Sequence, residues 1–211
     1  MYTPKQFEER DLDEMRAIMR AYPFVTMITL HEGEPWVSHL PVLYDDDGSP
    51  SGKLTGHMAH ANRQWRHLAG GQTALIIFHG PHRYISPSWY ITKPNVPTWN
   101  YATVHARGKA RMIEDDDTVH AILERTVAHF EAGSREPWTM QLPQDFLDVR
   151  YPKIVGFEIP IESLEGKFKL NQNREDVDRR AVIARLREED DPGSREMLEI
   201  MLRLDQRDLS S

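Results

Sequence analysis

The chain has 211 residues, of which 39% are apolar and 28% are charged, enough for one large domain with a packed core. Its 26 Lys and Arg residues and 33 Asp and Glu residues give a formal net charge of -7, which argues against binding carried mainly by contacts to a phosphate backbone. The chain contains no cysteine, which excludes disulfides, zinc ribbons and a thiol nucleophile.

The N-terminal part of the chain predicts a helix followed by three strands. Apolar residues recur at helical spacing in the first segment, and Pro23 ends it. The next three segments are rich in β-branched residues and are joined by short polar turns, which leave no room for the crossover helices of a parallel sheet. An antiparallel meander is therefore expected over Phe7–Arg20 (helix), Pro23–Leu30, Trp36–Tyr44 and Lys53–Met58.

The middle of the chain predicts a short helix over Ala61–Gly70 and then the most hydrophobic strand, Thr73–His79, which we expect to be central. The following segment, Gly80–Pro97, contains four prolines and is not expected to form a regular central strand. A long alternating strand is predicted over Thr98–Ile113. One face of this strand would carry Trp99, Tyr101, Thr103, His105 and Arg107.

The C-terminal part predicts mostly helices. Asp115–Asp117 would begin a helix, because carboxylates suit the positive end of the helix dipole. Its buried stripe would be Val119, Ile122, Leu123, Val127 and Phe130. A short helix around Pro143–Val149, a strand over Lys153–Gly166 and helices over Asp176–Glu188 and Ser194–Leu204 follow. The pattern is that of an α+β protein whose antiparallel sheet curls into a barrel over residues 1–170, with a helical pair over residues 171–211 packed on the barrel or on a partner subunit.

Charge is distributed unevenly along the chain. The 61 residues from Lys53 to Ile113 contain none of the acidic residues, but they contain eight Lys and Arg residues and six of the ten histidines. At the start of the predicted short helix, His60, Asn62 and Arg63 with the backbone N–H groups would form a phosphate site. The alternative is that Asn62 only caps the helix and Arg63 is only solvated. Neither GxGxxG nor GxxxxGK[ST] is present, which disfavours dinucleotide and P-loop sites.

Metal and hydrolytic chemistry have weaker support in this window. His57 with His60 and His79 with His82 form two HxxH pairs, but no carboxylate is near either pair, so a polar cavity wall is favoured over a metal site. Ser86 and Ser88 near His82 lack both a GxSxG elbow and an acidic residue to orient a histidine. No residue has the pattern of a dedicated catalytic acid or base, so no catalytic residue is predicted.

Aromatic residues point to a planar ligand. Tyr84, Trp89, Tyr90, Trp99 and Tyr101 lie in or beside the Pro-rich segment among serine, threonine and asparagine. A segment this aromatic and polar is expected to line a pocket, because buried loops must pair their backbone groups. A flat ring system with a phosphate tail would satisfy both the aromatic and the cationic observations.

Four sequence blocks carry a family resemblance: GHMAHANRQW (Gly56–Trp65), FHGPHRYISPSWY (Phe78–Tyr90), VPTWNYATVHARG (Val96–Gly108) and IVGFEIPIESLEGKFKLNQNR (Ile154–Arg174). Their order and content resemble the PaiB-like family of FMN-binding negative transcriptional regulators. The resemblance implies an antiparallel split β-barrel, the FMN-binding fold related to pyridoxamine 5′-phosphate oxidase, with flanking N- and C-terminal helices. It also implies a homodimer with FMN at the subunit interface.

The resemblance also implies the cofactor-binding residues. Thr55 and either His60 or Arg63 would bind the FMN phosphate, with His60 standing where relatives commonly carry Arg or Lys. Trp99, Asn100 and Tyr101 would lie near the isoalloxazine ring, with Thr103 on the same strand, and the segment Lys167–Arg174 would close the pocket, from either subunit. The complete predicted set is Thr55, His57, His60, Asn62, Arg63, Ser86, Trp99, Asn100, Tyr101, Thr103, Lys167, Lys169 and Gln172.

Three functions stay open at this stage. The first is an FMN-binding negative transcriptional regulator, although residues 171–211 hold more acidic than basic residues, so direct DNA binding is not expected. The second is an FMN-dependent oxidoreductase of the pyridoxamine 5′-phosphate oxidase type acting on a small molecule. The third is haem binding through a window histidine. No apolar run approaches the about 20 residues that cross a bilayer, and the N-terminal segment lacks the layout of a signal peptide, so a cytoplasmic protein is expected.

Overall fold

The structure, a computed structural model, describes residues 1–210, with side chains through residue 207. The chain contains nine strands and six α-helices over these residues. In chain order they are β1 (Glu8–Glu9), α1 (Leu12–Ala21), β2 (Phe24–His31), β3 (Glu34–Asp45), β4 (Lys53–Ala59), α2 (Gln64–Ala69), β5 (Thr73–Ile85), β6 (Thr98–Lys109), β7 (Arg111–Ile113), α3 (Asp116–Glu131), α4 (Gln144–Asp148), β8 (Ile154–Pro160), β9 (Ser163–Lys169), α5 (Asp176–Glu188) and α6 (Pro192–Ser210).

The strands form one sheet with the order β1-β9-β6-β5-β2-β3-β4-β8-β7, and each pairing whose register is described is antiparallel. The prediction of an antiparallel α+β protein is therefore confirmed. The residues group into two compact units. The first unit comprises Met1–Ile18, His79–Val104 and Glu165–Ser211, and the second comprises Met19–Phe78 and His105–Leu164.

In the second unit, the turn between β2 and β3 lies at Glu32 and Gly33, which both have positive φ. This turn pairs β2 along its whole length with residues 34–41 of β3, with Thr26 opposite His39. β4 then pairs with β3 and with β8, and its inward side packs on Phe157. A larger residue at position 56 would clash with β8, because a Cβ atom on Gly56 would lie 2.8 Å from the Phe157 ring.

Helix α3 packs on the β8 side of the second unit. Asp115 caps it by accepting a hydrogen bond from the Thr118 N–H at 2.9 Å, as the acidic start of the segment predicts. Val119 and Ile122 are buried in a cluster with Ile113, Leu147 and Tyr151. The predicted inclusion of Phe130 in the buried stripe is wrong: Phe130 is 51% exposed because it lies in the last turn of α3, beyond this cluster.

Strand boundaries differ from the prediction at three places. β5 continues through Pro81 to Ile85 rather than ending at His79. Its pairing with β2 covers only Leu75–Ile77, so the missing N–H of Pro81 removes no hydrogen bond between β5 and β2. The strand predicted over Thr98–Ile113 breaks after Lys109. The strand predicted over Lys153–Gly166 is two strands, because the backbone at Ile161 and Glu162 leaves the ladder to donate to other segments.

Two further helix boundaries follow from local geometry. The N-terminal helix begins at Leu12 rather than Phe7, since residues before it form a 3-10 turn and the short strand β1. α5 has the predicted bounds, whereas α6 extends further at both ends than predicted. Both C-terminal helices belong to the first unit, where their buried residues include Val182, Leu186 and Met201.

Candidate functional site

The predicted cofactor-binding residues fall into two groups, one in each compact unit. Thr55, His57, His60, Asn62 and Arg63 belong to the second unit, on β4 and the connection to α2. The others belong to the first unit, on β6, β9 and the segments beside them: Ser86, Trp99, Asn100, Tyr101, Thr103, Lys167, Lys169 and Gln172.

Asn62 organises the connection between β4 and α2. Its side-chain oxygen accepts from the Gln64 N–H at 3.1 Å, and its Nδ2 donates to the Ser38 hydroxyl at 2.8 Å. The first of these bonds satisfies an N–H group at the start of α2, which would otherwise lack an intrahelical partner. The N-cap residue of α2 is Arg63 rather than Asn62 as considered, and Asn62, one residue earlier, bonds the first N–H group of the helix.

His60 and Arg63 are the exposed cationic residues of this connection. The imidazole of His60 packs at 4.8 Å on the ring of Trp65, whose Nε1 donates to the His60 carbonyl oxygen at 2.9 Å. The Arg63 guanidinium makes no hydrogen bond or ion pair with the side chains that the structure describes. An exposed guanidinium beside a fixed imidazole is suited to an anionic ligand, since its planar fork matches a phosphate.

Thr55 and His57 lie further back on β4. The buried Thr55 hydroxyl donates at 2.6 Å to Asp45, which also accepts from Arg125. His57 is opposite Gly156 of β8, on the sheet face that Ile113 and Ile122 cover. These two side chains therefore point to surroundings different from those of His60 and Arg63.

His57 keeps a polar atom without a partner. Its Nδ1 is buried and makes no hydrogen bond to the described residues, and burial lowers the pKa of His57 below its ordinary value. The imidazole is consequently neutral near pH 7. A neutral ring here can donate or accept one hydrogen bond but adds no positive charge for a phosphate.

A polar network beneath α2 escaped the sequence analysis. Gln64 is completely buried, and its Nε2 donates to the Met27 carbonyl oxygen, the Thr29 hydroxyl and the Trp36 carbonyl oxygen at 3.0–3.3 Å. The same hydroxyl lies 2.9 Å from Nδ1 of His67. This network anchors α2 on β2 and β3, and no local sequence signal predicts it because its partners lie 28–38 residues apart in the chain.

His67 also stacks on His31, with 4.7 Å between the ring centroids and 10° between the planes. Burial lowers the pKa of His67, and the neighbouring His31 lowers it further. The ring is therefore neutral near pH 7, and its role is to support α2 and the connection that carries Arg63.

In the first unit, β6 alternates as predicted. Asn100, Ala102 and Val104 are buried, whereas Trp99, Tyr101 and Thr103 lie on the other, partly exposed face. Trp99 is 53% exposed and meets the Tyr84 ring edge-on at 6.1 Å. This face presents aromatic surface to a ligand.

Lysines of β9 border this face. The Lys167 ammonium lies 5.4 Å from the centroid of the Tyr101 ring and donates to the Tyr2 carbonyl oxygen at 2.9 Å. Lys169 donates to the Trp99 carbonyl oxygen at 2.9 Å and to the Thr98 hydroxyl. Burial, followed by the charges of Lys167 and Arg174, lowers the pKa of Lys169.

Three predicted residues have structural partners that separate them from the Trp99 face. Asn100 is completely buried on the opposite face of β6, where its Nδ2 lies 3.7 Å from the Met201 sulfur. The Gln172 side chain accepts from the Leu170 N–H at 2.6 Å and so holds the turn after β9. The Ser86 hydroxyl accepts from the Ser88 N–H at 3.2 Å and caps a 3-10 turn. Asn100 therefore faces away from the surface that Trp99 forms, and the side chains of Ser86 and Gln172 stabilise local turns.

Asp178, which the sequence analysis did not select, holds the Pro-rich segment. Its Oδ1 accepts from the N–H groups of Ile91 and Thr92 at 2.7 and 2.9 Å, and its Oδ2 accepts from the Thr92 hydroxyl at 2.5 Å. Burial raises the pKa of Asp178, but these hydrogen bonds together outweigh it, so the pKa is lowered. The carboxylate is ionised and orders a segment that contains no acid of its own.

A second contact fixes the aromatic part of the same segment. Tyr90 is buried, and its hydroxyl accepts from the Nδ2 of Asn171 at 3.0 Å. Asn171 adopts a positive φ of 65°, and Arg174 lies over the Tyr90 ring at 4.8 Å. The turn after β9 therefore orders the segment that leads into β6.

No group of three or more His, Asp and Glu side chains within residues 1–207 is arranged to hold a metal ion. Over the same part of the chain, no helix is both long enough and apolar enough to cross a membrane.

Comparison with known proteins identifies the family. The family described as "Putative FMN-binding domain" matches residues 1–163, more than half of the chain. The chain belongs to this FMN-binding family. The "Protease synthase and sporulation protein PAI 2" of Bacillus subtilis is 36% identical over 203 residues, covering 95% of this chain and 96% of that protein. An uncharacterized protein of Emericella nidulans is 34% identical, covering 70% of this chain and 73% of that protein.

Solved structures confirm the fold of this FMN-binding family member. The flavocytochrome Anf3 from Azotobacter vinelandii has a TM-score of 0.60 at 16% identity, covering 77% of this chain and 69% of that chain. The FAD and heme binding protein from Mycobacterium smegmatis has a TM-score of 0.59 at 14% identity, covering 77% and 73%. The predicted split β-barrel class is confirmed, as are the family and, through it, FMN as the cofactor.

The residues present fit a cofactor with a phosphate and a flat ring system. FMN carries about -1.5 to -2 on its phosphate near pH 7. In the second unit, Arg63 offers an exposed guanidinium without a partner among the described side chains, which suits a phosphate. In the first unit, Trp99 offers exposed aromatic surface, which suits a flat ring. The segment Lys53–Ile113 contains no acidic residue, and its Thr55 donates to Asp45 from outside the segment.

Proposed function

We propose that this FMN-binding protein is a PaiB-type regulator that lowers the expression of its target genes, and that Arg63 binds the cofactor phosphate. One observation carries the cofactor part of the proposal: Arg63 is an exposed cation without a partner among the described side chains, at a connection that Asn62 holds rigid. Similarity to PAI 2 over nearly the whole chain supports the regulatory part, since that protein is named for protease synthesis and sporulation.

In this proposal the second unit binds the phosphate. Arg63 and His60 carry this role, because both are exposed at the start of α2. Within the first unit, the exposed Trp99 and the partly exposed Tyr101 form an aromatic surface suited to stacking. Lys167, beside Tyr101, adds positive charge at that surface.

Spectroscopy tests the cofactor proposal directly. The purified chain is titrated with FMN while the flavin absorption and fluorescence are followed. Saturable binding at one FMN per chain, with quenched flavin fluorescence, is expected. If titration produces no saturable change and the purified chain carries no flavin bands, the FMN proposal fails.

We further propose that the protein is a homodimer. The register of β2 and β3 places Phe24, Ile28 and Leu30 on one sheet face with Val37, and the exposed members of this set are large and apolar. Such a face is favourable in water only when a partner covers it, and the second copy is the partner that the family resemblance implies.

Light scattering tests the dimer. The unsubstituted protein is expected to have twice the chain mass, and Val37→Lys is expected to shift it to the monomer, because the charge would be buried at the interface. Val149→Lys changes an equally exposed valine outside this face and serves as the control. A monomeric mass for the unsubstituted protein would contradict the proposal.

We propose that regulation does not use tight direct DNA binding. Most of the arginines of α5 and α6, though not Arg180 and Arg187, are engaged by carboxylates within residues 1–207, for example Arg185 by Glu188, Arg195 by Asp190 and Arg203 by Glu14. These pairs leave little positive charge for a phosphate backbone. In an electrophoretic shift assay with promoter fragments, weak binding is expected, and tight, salt-sensitive binding would contradict this part of the proposal.

An FMN-dependent oxidoreductase is the second candidate function. The observation that favours it is the exposed surface of Trp99 and Tyr84, where His82 also lies within 6.2 Å of the Trp99 ring. These side chains could orient a small substrate, while bound FMN would supply hydride or electron transfer. Bleaching of the flavin absorption by NADH or NADPH would favour the oxidoreductase, and no reaction would favour the regulator.

A further inference from the structure

One cavity, which lies in the second unit, has the chemistry of a binding site for a small organic acid. It has a volume of about 470 Å³ and lies between the end of α1, β3 and the last turns of α3. This volume is within the range of about 300–1,000 Å³ that small-molecule sites occupy. None of the predicted cofactor-binding residues lines it.

The cavity is cationic. Arg20 and Arg125 line it together with His129, and no carboxylate is among the lining residues. Arg125 is bound by Asp45, so its charge is already balanced. The Arg20 guanidinium lies 4.9 Å from the centroid of the Tyr44 ring and has no carboxylate partner among residues 1–207. The two guanidinium groups and Asp45 together leave about one positive charge, which matches a monoanion better than a phosphate dianion.

Tyr44 contributes its ring to the cavity wall. The residue is 8% exposed, and its hydroxyl is buried beside Gly52, which does not line the cavity. The cavity therefore meets the ring of Tyr44 and not its hydroxyl.

The rest of the lining is apolar. Met19 is completely buried, and Leu43 and Pro23 are also buried. With the side chain of Ala128 they form the apolar part of the wall. A ligand that satisfies the whole cavity therefore combines one negative charge with an apolar body, and the Tyr44 ring favours a planar body.

We propose that this cavity binds a small carboxylic acid with an aromatic or similarly apolar body. The carboxylate pairs with Arg20, whose planar fork accepts it in two hydrogen bonds, while Arg125 contributes from α3. The apolar body lies against Met19, Leu43 and Tyr44. This site is separate from the proposed flavin residues and does not depend on them.

Benzoate is the probe, and benzamide is its uncharged counterpart of similar shape. Backbone amide shifts of the full-length protein are followed by NMR during titration with each. Benzoate is expected to shift the amides of residues 19–23, 43–44 and 125–129 in a saturable manner, and benzamide is expected to bind about tenfold more weakly. Equal binding of both, or shifts confined to other segments, would overturn the proposal.

Variants distinguish binding of benzoate by Arg20 from a role of Arg20 in stabilising the end of α1. Arg20→Gln is expected to weaken benzoate binding by about tenfold. Tyr44→Phe is expected to leave benzoate binding unchanged, because the ring of Tyr44 lines the cavity and its hydroxyl does not. Arg135→Gln removes an exposed arginine of the same unit that lies outside the cavity, and benzoate binding is expected to be unchanged. If Arg20 only stabilised the end of α1, Arg20→Gln would lower the melting temperature and leave benzoate affinity intact, which would overturn the proposal.

Two competition results complete the test. Inorganic phosphate is expected to displace benzoate poorly, since the cavity carries about one net positive charge. If phosphate displaced benzoate as effectively as a second carboxylate does, the assignment of a carboxylic acid as the ligand would be overturned. FMN affinity of Arg20→Gln is expected to equal that of the unsubstituted protein. A failed FMN titration therefore leaves this proposal standing, and a failed benzoate titration leaves the flavin proposal standing.

Discussion

Replacement of Arg63 by Ala tests how the protein recognises the cofactor phosphate. A charge-assisted hydrogen bond contributes about 1.5–3 kcal/mol, and the lower end applies here because Arg63 is exposed and water screens its charge. A loss of about 1.5 kcal/mol corresponds to about tenfold weaker binding. Arg63→Ala is therefore expected to raise the Kd of FMN about tenfold, measured by quenching of flavin fluorescence.

Riboflavin makes this test specific, because it has the same ring system and no phosphate. Its Kd is expected to be unchanged in Arg63→Ala, so the preference for FMN over riboflavin falls about tenfold. Arg135→Ala, which removes an exposed arginine elsewhere in the same unit, is expected to change neither affinity. An equal loss for both ligands, or no loss for FMN, would refute the assignment of Arg63 to the phosphate.

Three further predictions concern the scaffold around the candidate residues. Hydrogen bonds, first of all from Lys53 at 2.7 Å, lower the pKa of Glu158. Ionised Glu158 therefore stabilises the folded protein fully above about pH 4.3, the ordinary Glu value, and this stabilisation is lost as the pH falls through the lowered pKa. Glu158→Gln is expected to make the melting temperature decline less steeply in acid. Gly108→Ala places a methyl group against the Pro160 carbonyl oxygen and is expected to cost about 1–3 kcal/mol in urea unfolding. Asp178→Asn is expected to speed amide hydrogen exchange at residues 91–92, because the carboxylate accepts both N–H groups.

Matched variants control these predictions. Gly133→Ala adds a methyl group where nothing lies within 4 Å, so unfolding free energy is expected to stay within about 0.5 kcal/mol. Asp176→Asn changes a neighbouring acid in the first turn of α5 and is expected to leave exchange at residues 91–92 unchanged. The reasoning fails if Glu158→Gln keeps the full acid-dependent decline, or if either control variant matches its test variant.

Local sequence signals predicted most of the secondary structure because their causes are local. Short polar connections required antiparallel pairing between β2, β3 and β4, since crossover helices need more chain. The alternation around Trp99 set the two faces of β6, and the acidic run at Asp115 marked the start of α3. In each case the deciding contacts lie within a few residues of one another.

The errors arose where distant contacts decide the outcome. Phe130 has the right helical spacing for burial, but the cluster that covers α3 does not extend to its last turn. Pro81 argued against a strand, but β5 continues where its β2 ladder has already ended. Periodicity and residue type record what a segment could bury, and only the partner surface determines whether it does.

For the candidate site too, some features follow from the sequence and others only from the tertiary structure. The sequence by itself determined the family, the antiparallel class and a cationic segment without carboxylates, because these depend on residue types and on connection lengths. Only the tertiary structure decided that Arg63 is exposed, that Asn100 lies on the buried face of β6 and that Asp178 orders the Pro-rich segment from 86 residues away. The physical reason is that burial and hydrogen-bond partners are properties of distant segments brought together, which no local pattern encodes.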